Sequence, residues 1–201
     1  MSAFQKLPST RKGSIAEQYV VDLLSTRGWH VYRYAQDTSH PIDLLAITER
    51  RELVAVEVKC KPARVYYPDT GMDYNDYLAY HKLSADLGIP VLVLFVDYES
   101  CRVMGNYLDK LSEPIVVVDN GRELVYPWVV DKYVYCPLCV LEIWAEIPLA
   151  IAQQIARCGY TGTKYRQPLP ARVPLDKSVS DRVEYEYGWL DVDQPKPNDG
   201  G

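Results

Sequence analysis

Apolar residues recur at helical spacing over residues 14–27, where Ile15, Ala16, Tyr19, Val20, Leu23 and Leu24 fall on one side of a 3.6-residue period. Ser14, with Glu17 three residues later, reads as a capping box, and Gly28 as the residue that stops the helix. The period then shortens to two. Residues 30–34 are rich in β-branched and aromatic side chains, residues 41–48 are nearly continuous apolar except for Asp43, and residues 53–59 read L-V-A-V-E-V-K. The charged stretch 49–52 has the length of a hairpin turn. Residues 62–73, with Pro62, Pro68 and Gly71, read as a loop. A second helix opens at Asp73 or Tyr74 and runs to Leu87 before Gly88, and I-P-V-L-V-L-F-V is an apolar run of buried-strand length. The order αβββαβ predicts an α/β fold, a mixed sheet flanked by helices.

The second half carries weaker signals. Residues 114–118 and 124–130 read as short strands, and residues 141–158 as helical stretches broken at Pro148. This organisation divides the chain into a core over 1–100, an extension packed on it over 101–166, and a Pro-rich polar tail over 167–201, expected to be extended and partly disordered.

Composition changes the picture in three places. No run of 18 apolar residues exists, so no membrane helix is expected, and the N-terminal MSAFQKLPSTRKGS lacks the apolar stretch of a secretory signal. A soluble cytoplasmic protein is the expectation, and its five cysteines are expected to be reduced. Cys136-Pro-Leu-Cys139 reads first as a pair of buried free thiols; its other reading is half of a metal site, which Cys101 or Cys158 could complete. The formal net charge of −5 argues against a nucleic-acid partner, but residues 1–64 hold ten Lys/Arg against seven Asp/Glu. With a divalent cation held by some of those acids, this half would be distinctly basic.

The candidate chemistry begins with Asp43. Aspartate is a poor strand former and costly to bury unpaired, so in P-I-D-L-L-A-I it calls for a partner, unless its strand is half exposed. In V-A-V-E-V-K-C-K, Val54, Val56, Val58 and Cys60 point one way, and Ala55, Glu57, Lys59 and Lys61 the other. An E-x-K triplet alone is also what a solvated edge strand carries. Two apolar strands joined by a short turn, however, bring Asp43 and Glu57 together. Converging carboxylates repel, and a hard divalent cation such as Mg²⁺ relieves them, leaving Lys59 beside the attacking water or the scissile phosphate.

P-I-D, thirteen residues, then E-V-K resembles the signature of the PD-(D/E)XK nucleases, the restriction-endonuclease-like superfamily, and the αβββαβ order is similar to that family's core. The segment from Gly13 to Val31 resembles the first helix of its Holliday-junction-resolvase-like branch. The similarity spans roughly residues 13–97. It implies a metal-dependent endonuclease that hydrolyses DNA, with branched or processed DNA among its candidate substrates. Asp43 and Glu57 would hold Mg²⁺ or Mn²⁺, with the helical Glu17 and the Val58 carbonyl as further ligands. Lys59 would orient or help deprotonate the water. Glu17 lies at the border of the helix's apolar arc, so a capping role and a metal role both stay open. Gln18 departs from relatives that carry a basic residue there, which leaves the substrate subclass open.

Arg11, Lys12, Lys61 and Arg64, with Tyr66 and the neighbouring Tyr67, Tyr74, Tyr77 and Tyr80, suit phosphate contact and base stacking. Tyr77 and Tyr80, on the second helix, read first as core residues, and Lys82 is a further candidate on that helix. DNA is the implied partner and a homodimer stays open. The competing reading is a nuclease fold turned binding or interaction module, which the intact Asp43, Glu57 and Lys59 set disfavours.

Overall fold

The computed structural model describes residues 8–33, 42–130, 132–158 and 172–173. Helix α1 (Pro8–Thr26) is followed by strands β1 (His30–Arg33), β2 (Leu44–Ile47), β3 (Leu53–Lys59) and β4 (Asp69–Asp73). Helix α2 (Tyr74–Leu87), β5 (Val91–Asp97), β6 (Arg102–Tyr107) and the short helix α3 (Leu108–Ser112) come next. The remainder is β7 (Ile115–Asp119), β8 (Arg122–Tyr126), β9 (Trp128–Val130), β10 (Tyr133–Pro137), β11 (Glu142–Glu146), α4 (Leu149–Ala156) and β12 (Arg172–Val173). The expected αβββαβ order is present over residues 8–97, with β4 inserted before α2.

The central sheet has the order β1-β2-β3-β5-β6-β11. Only the β3–β5 pair is parallel, because α2 supplies the crossover between them; the other pairs are antiparallel. Strands β3 and β5 lie in the middle and are buried on both faces, which explains their near-continuous apolar runs. One face packs Val54, Val56, Val58, Leu92, Leu94 and Val96 against Ala16, Val20 and Leu24 of α1 and Ala152 and Ile155 of α4. The other packs Ala55, Val91, Val93 and Phe95 against Tyr77 and Tyr80 of α2, α3 and two small sheets. Those small sheets have the orders β4-β10-β9 and β12-β7-β8. At Gly105 the strands approach so closely that a Cβ would lie 2.1 Å from the Val93 carbonyl oxygen.

Several expectations need correcting. The first helix starts at Pro8, six residues before Ser14, so Ser14 and Glu17 form no capping box; Ser14 Oγ donates back to the Thr10 carbonyl inside the helix at 3.0 Å. The added residues 8–13 carry almost no apolar face, so periodicity could not detect them. Residues 69–73, within the stretch read as a loop, form β4 by pairing with β10 more than sixty residues later. Residues 142–146, within the stretch read as helical, form β11 beside β6 with a register shift, and α4 begins after Pro148. The run over 124–130 is divided between β8 and β9 by the cis Tyr126–Pro127 bond. Most of the 167–201 tail lies outside the described residues; Arg172 and Val173 pair with Val117 and Val116. The residues read as an extension thus supply two strands to the central sheet. Among the described residues no helix is long and apolar enough to cross a membrane.

Candidate active site

Strand register brings the predicted residues together. Leu44 pairs with Val56 in the β2–β3 hairpin, so Asp43, at the bend before β2, lies across from Glu57, the next residue of β3. There the Val58 amide donates to Asp43 Oδ2 at 2.8 Å. Val58 therefore enters the site through its N–H, which fixes one Asp43 oxygen. Glu57 points to the α2 side of the sheet, as the alternation of β3 requires, and is only 6% exposed. The Asp43 and Glu57 side chains are within reach of each other, and Tyr80 of α2 lies beside Glu57.

Lys59, two residues on, turns its ammonium back toward Glu57. Its Nζ is 2.7 Å from Glu57 Oε1 and 2.7 Å from Asp76 Oδ2. It also lies 5.5 Å from the centroid of the Tyr80 ring. Asp76 stands in the first turn of α2, where the helix dipole favours an acid, and Asp73 caps that helix by accepting from the Asn75 amide. Sequence reasoning missed Asp76, and read Tyr80 first as a core residue and otherwise as a stacking one, not as a neighbour of Glu57. The signal was present: the two are i, i+4 on the helix and share one face.

The electrostatics are those of a crowded acidic pair. Burial, and then the Asp43 charge, push the Glu57 carboxyl up to about 7. Burial likewise raises Asp43, against the opposing pull of the Val58 amide and Lys59. Burial would lower Lys59, but Glu57 and Asp76 outweigh it and hold the ammonium above its ordinary value. Glu17, freed from capping, is half-buried in α1 with its carboxyl raised by burial and by Asp43. Asp43 therefore feels both Glu17 and Glu57, but among the described residues no three acidic, histidine or cysteine side chains are gathered around one point as metal ligands. The donor set that fits a cation is the Asp43–Glu57 pair: two oxygen-donor groups, one half-buried and one buried, mutually repelling, with Lys59 partly compensating them. Hard divalent ions take such ligands and complete their shells with water or phosphate.

The cations expected to contact DNA diverge in environment. Arg11 is exposed on α1. Lys12 donates to the Tyr98 hydroxyl at 2.9 Å. Lys61 is half-buried and stands 5.0 Å above the Tyr133 ring, with its ammonium lowered by burial and by Lys59. Tyr66 is 85% exposed. Arg64 is held within the fold: its Nε and Nη2 each lie 2.6 Å from an oxygen of Asp69, which is fully buried and also accepts from the Tyr126 hydroxyl at 2.7 Å. A buried carboxylate needs that partner, so two of the Arg64 guanidinium nitrogens are engaged by Asp69. Lys82 pairs with Asp86 on the outer surface of α2. Cys136 is fully buried, with its thiol donating toward the Leu111 carbonyl, while Cys139 is half-buried; neither belongs to a gathered ligand set among the described residues.

No protein-family model matches the chain, and no curated protein matches it. Among solved structures it is similar to Hjc, a Holliday junction resolvase from the archaeal hyperthermophile Archaeoglobus fulgidus. The TM-score is 0.45 and the identity 15%, over 64% of this chain and 86% of that one. The likeness is a coarse one of chain path.

Proposed function

We propose that the chain is a divalent-metal-dependent nuclease that hydrolyses DNA phosphodiester bonds, with Asp43, Glu57 and Lys59 as its catalytic set. The observation that carries this reading is the convergence of the half-buried Asp43 on the buried Glu57, whose carboxyl is pushed up to about 7 by burial first and the Asp43 charge second, with Lys59 Nζ 2.7 Å from Glu57 Oε1. Two converging carboxylates cost the fold free energy, and a cation held between them relieves that cost. Asp43 and Glu57 would hold Mg²⁺ or Mn²⁺, with Glu17 and the Val58 carbonyl as further candidates. When bound, that ion supplies a more acidic water and neutralises phosphate charge.

The chain's own residues do the rest. The Val58 amide fixes Asp43 and the Lys59 ammonium holds Glu57, so neither carboxylate has to be ordered when substrate arrives. Lys59 is held by Asp76 and kept protonated. It therefore serves as a fixed positive charge that orients water and stabilises the developing charge on phosphate, rather than as a base. Arg11, Lys12 and Lys61 are the candidate contacts to backbone phosphates, with Tyr66 exposed nearby in sequence. The resemblance of P-I-D and E-V-K to the PD-(D/E)XK signature points the same way.

The test is cleavage of single-stranded, duplex and four-way-branched DNA with Mg²⁺, Mn²⁺, Ca²⁺ or chelator. Cleavage that requires Mg²⁺ or Mn²⁺ and is not sustained by Ca²⁺ is expected. Cleavage undiminished in chelator, or no cleavage of any of the three DNAs while they are bound, overturns the reading in favour of a binding module.

A further inference from the structure

One face of the β4-β10-β9 sheet carries a row of aromatic rings. Tyr133 and Tyr135 are alternate residues of β10 and share that face, with ring centroids 6.3 Å apart. Trp128 of β9 is the register partner of Tyr135, at 6.4 Å, and Tyr67 continues the row 5.2 Å from Trp128. The opposite face of β10 is core: Val134 and Cys136 are fully buried. Tyr133 is 41% exposed, and Tyr135, Trp128 and Tyr67 are half-buried. Two cations lie on the row. Arg64, neutralised by Asp69, sits 3.6 Å from the Tyr135 centroid, 4.4 Å from Tyr67 and 5.3 Å from Trp128, and so locks the rings in place. Lys61 covers Tyr133, and Lys132 beside it is exposed. The row runs into the candidate active site: Lys61 is two residues from Lys59, and Tyr133 pairs with Asp73, the cap of the helix that carries Asp76.

We infer that this row binds a single-stranded nucleic acid and leads an unpaired strand to Asp43, Glu57 and Lys59. The inference rests on the nuclease reading and narrows its substrate to DNA with unpaired nucleotides beside the scissile bond. Tyr133 is the exposed ring of the row and the one on which a base stacks, in place of the Lys61 ammonium or on the other face; Tyr135, Trp128 and Tyr67, held by Arg64, support it from behind, and Lys61 and Lys132 offer charge to the flanking phosphates. A duplex stacks its bases internally and leaves them no faces to present, so the row discriminates against it.

The test uses the full chain in metal-free buffer with chelator. Fluorescence anisotropy measures binding of a labelled single-stranded oligothymidylate of about 15 nucleotides and of a blunt duplex of the same length. The single strand is expected to bind more tightly. Tyr133→Ala is expected to weaken it about tenfold with little change for duplex, and Tyr133→Phe to restore it. Equal binding of both DNAs, or a Tyr133→Ala variant that weakens neither or both alike, overturns the inference. Should Tyr133→Ala melt below the wild type, quenching of wild-type tryptophan fluorescence decides instead. Quenching by the single strand but not the duplex, and its loss in Trp128→Phe, supports the row; quenching unchanged in Trp128→Phe overturns it. Tyr133-dependent single-strand binding without metal-dependent cleavage sinks the nuclease reading alone. Metal-dependent cleavage with Tyr133-independent binding sinks this inference alone.

Discussion

Replacing Glu57 by Gln removes a charge that the folded chain holds at a cost. Glu57 is 6% exposed beside Asp43, and its carboxyl is raised from an ordinary 4.5 to about 7, by burial first and the Asp43 charge second. A group whose folded value exceeds its unfolded value gives stability that is fully present below about 4.5 and lost as pH rises through about 7. At about 1.4 kcal/mol per pH unit, ionising Glu57 costs the metal-free fold about 3 kcal/mol as a ceiling. Gln keeps the shape and stays neutral, so Glu57→Gln is expected to match the wild type near pH 4.5 and to exceed it progressively up to pH 8. For a chain of this size, the full 3 kcal/mol would raise Tm by about 6–12 °C. The attraction of Lys59 for the ionised carboxylate is already contained in the balance that sets the Glu57 value, so losing it takes nothing further from this figure. Calorimetric or circular-dichroism melts of both proteins in chelator, from pH 4.5 to 8, supply the measurement. Adding Mg²⁺ at pH 8 is expected to raise the wild type more than the variant and close the gap. A Tm difference that does not grow with pH refutes the crowded-pair argument, and a wild type less sensitive to Mg²⁺ than Glu57→Gln refutes the assignment of the pair to a cation.

Asp43→Ala and Glu57→Ala are expected to abolish cleavage with far-ultraviolet circular dichroism unchanged; near-normal activity in either folded variant removes that residue from the catalytic set. Lys59→Ala is expected to slow single-turnover cleavage by about 100-fold or more, on the order of losing one transition-state donor, while DNA affinity changes little; a variant cleaving at the wild-type rate once bound returns the E-x-K triplet to a simple ion pair. Asp76→Asn is expected to cut the cleavage rate with KM nearly constant and to move the alkaline limb of the rate profile to lower pH, because Lys59 loses one of the two charges that hold it protonated; an unmoved limb denies Asp76 that role. Arg64→Ala is expected to destabilise by about 3 kcal/mol or more, since Asp69 would be left charged and buried without its partner; urea denaturation checks this, and an unchanged midpoint shows that Asp69 does not depend on Arg64.

The sequence by itself determined the core of the fold and the identity of its acidic pair. The alternation of Val54, Val56 and Val58 against Ala55, Glu57 and Lys59 sets which face of β3 meets α1 and which meets α2, because a period of two leaves no other choice. The apolar run before Asp97 could only be a central strand, and Asp73 and Gly88 bound α2 through local capping chemistry that needs no distant partner. What only the tertiary structure decided depends on pairings between distant segments. β4 reads as loop until β10 reaches it, and β11 reads as helical until β6 offers its edge. That Arg64 is paired with Asp69 is decided only when Asp69 and Tyr126 are folded beside it. Lys59 was legible as a neighbour of Glu57 by spacing, but its second partner comes from a helix that crosses the sheet face. The aromatic row is likewise assembled from three separated stretches, Tyr67, Trp128 and the Tyr133–Tyr135 pair. Residue patterns encode the periodicity of one element at a time, whereas the partner of a buried charge or the neighbour of an edge strand is set by which surfaces pack.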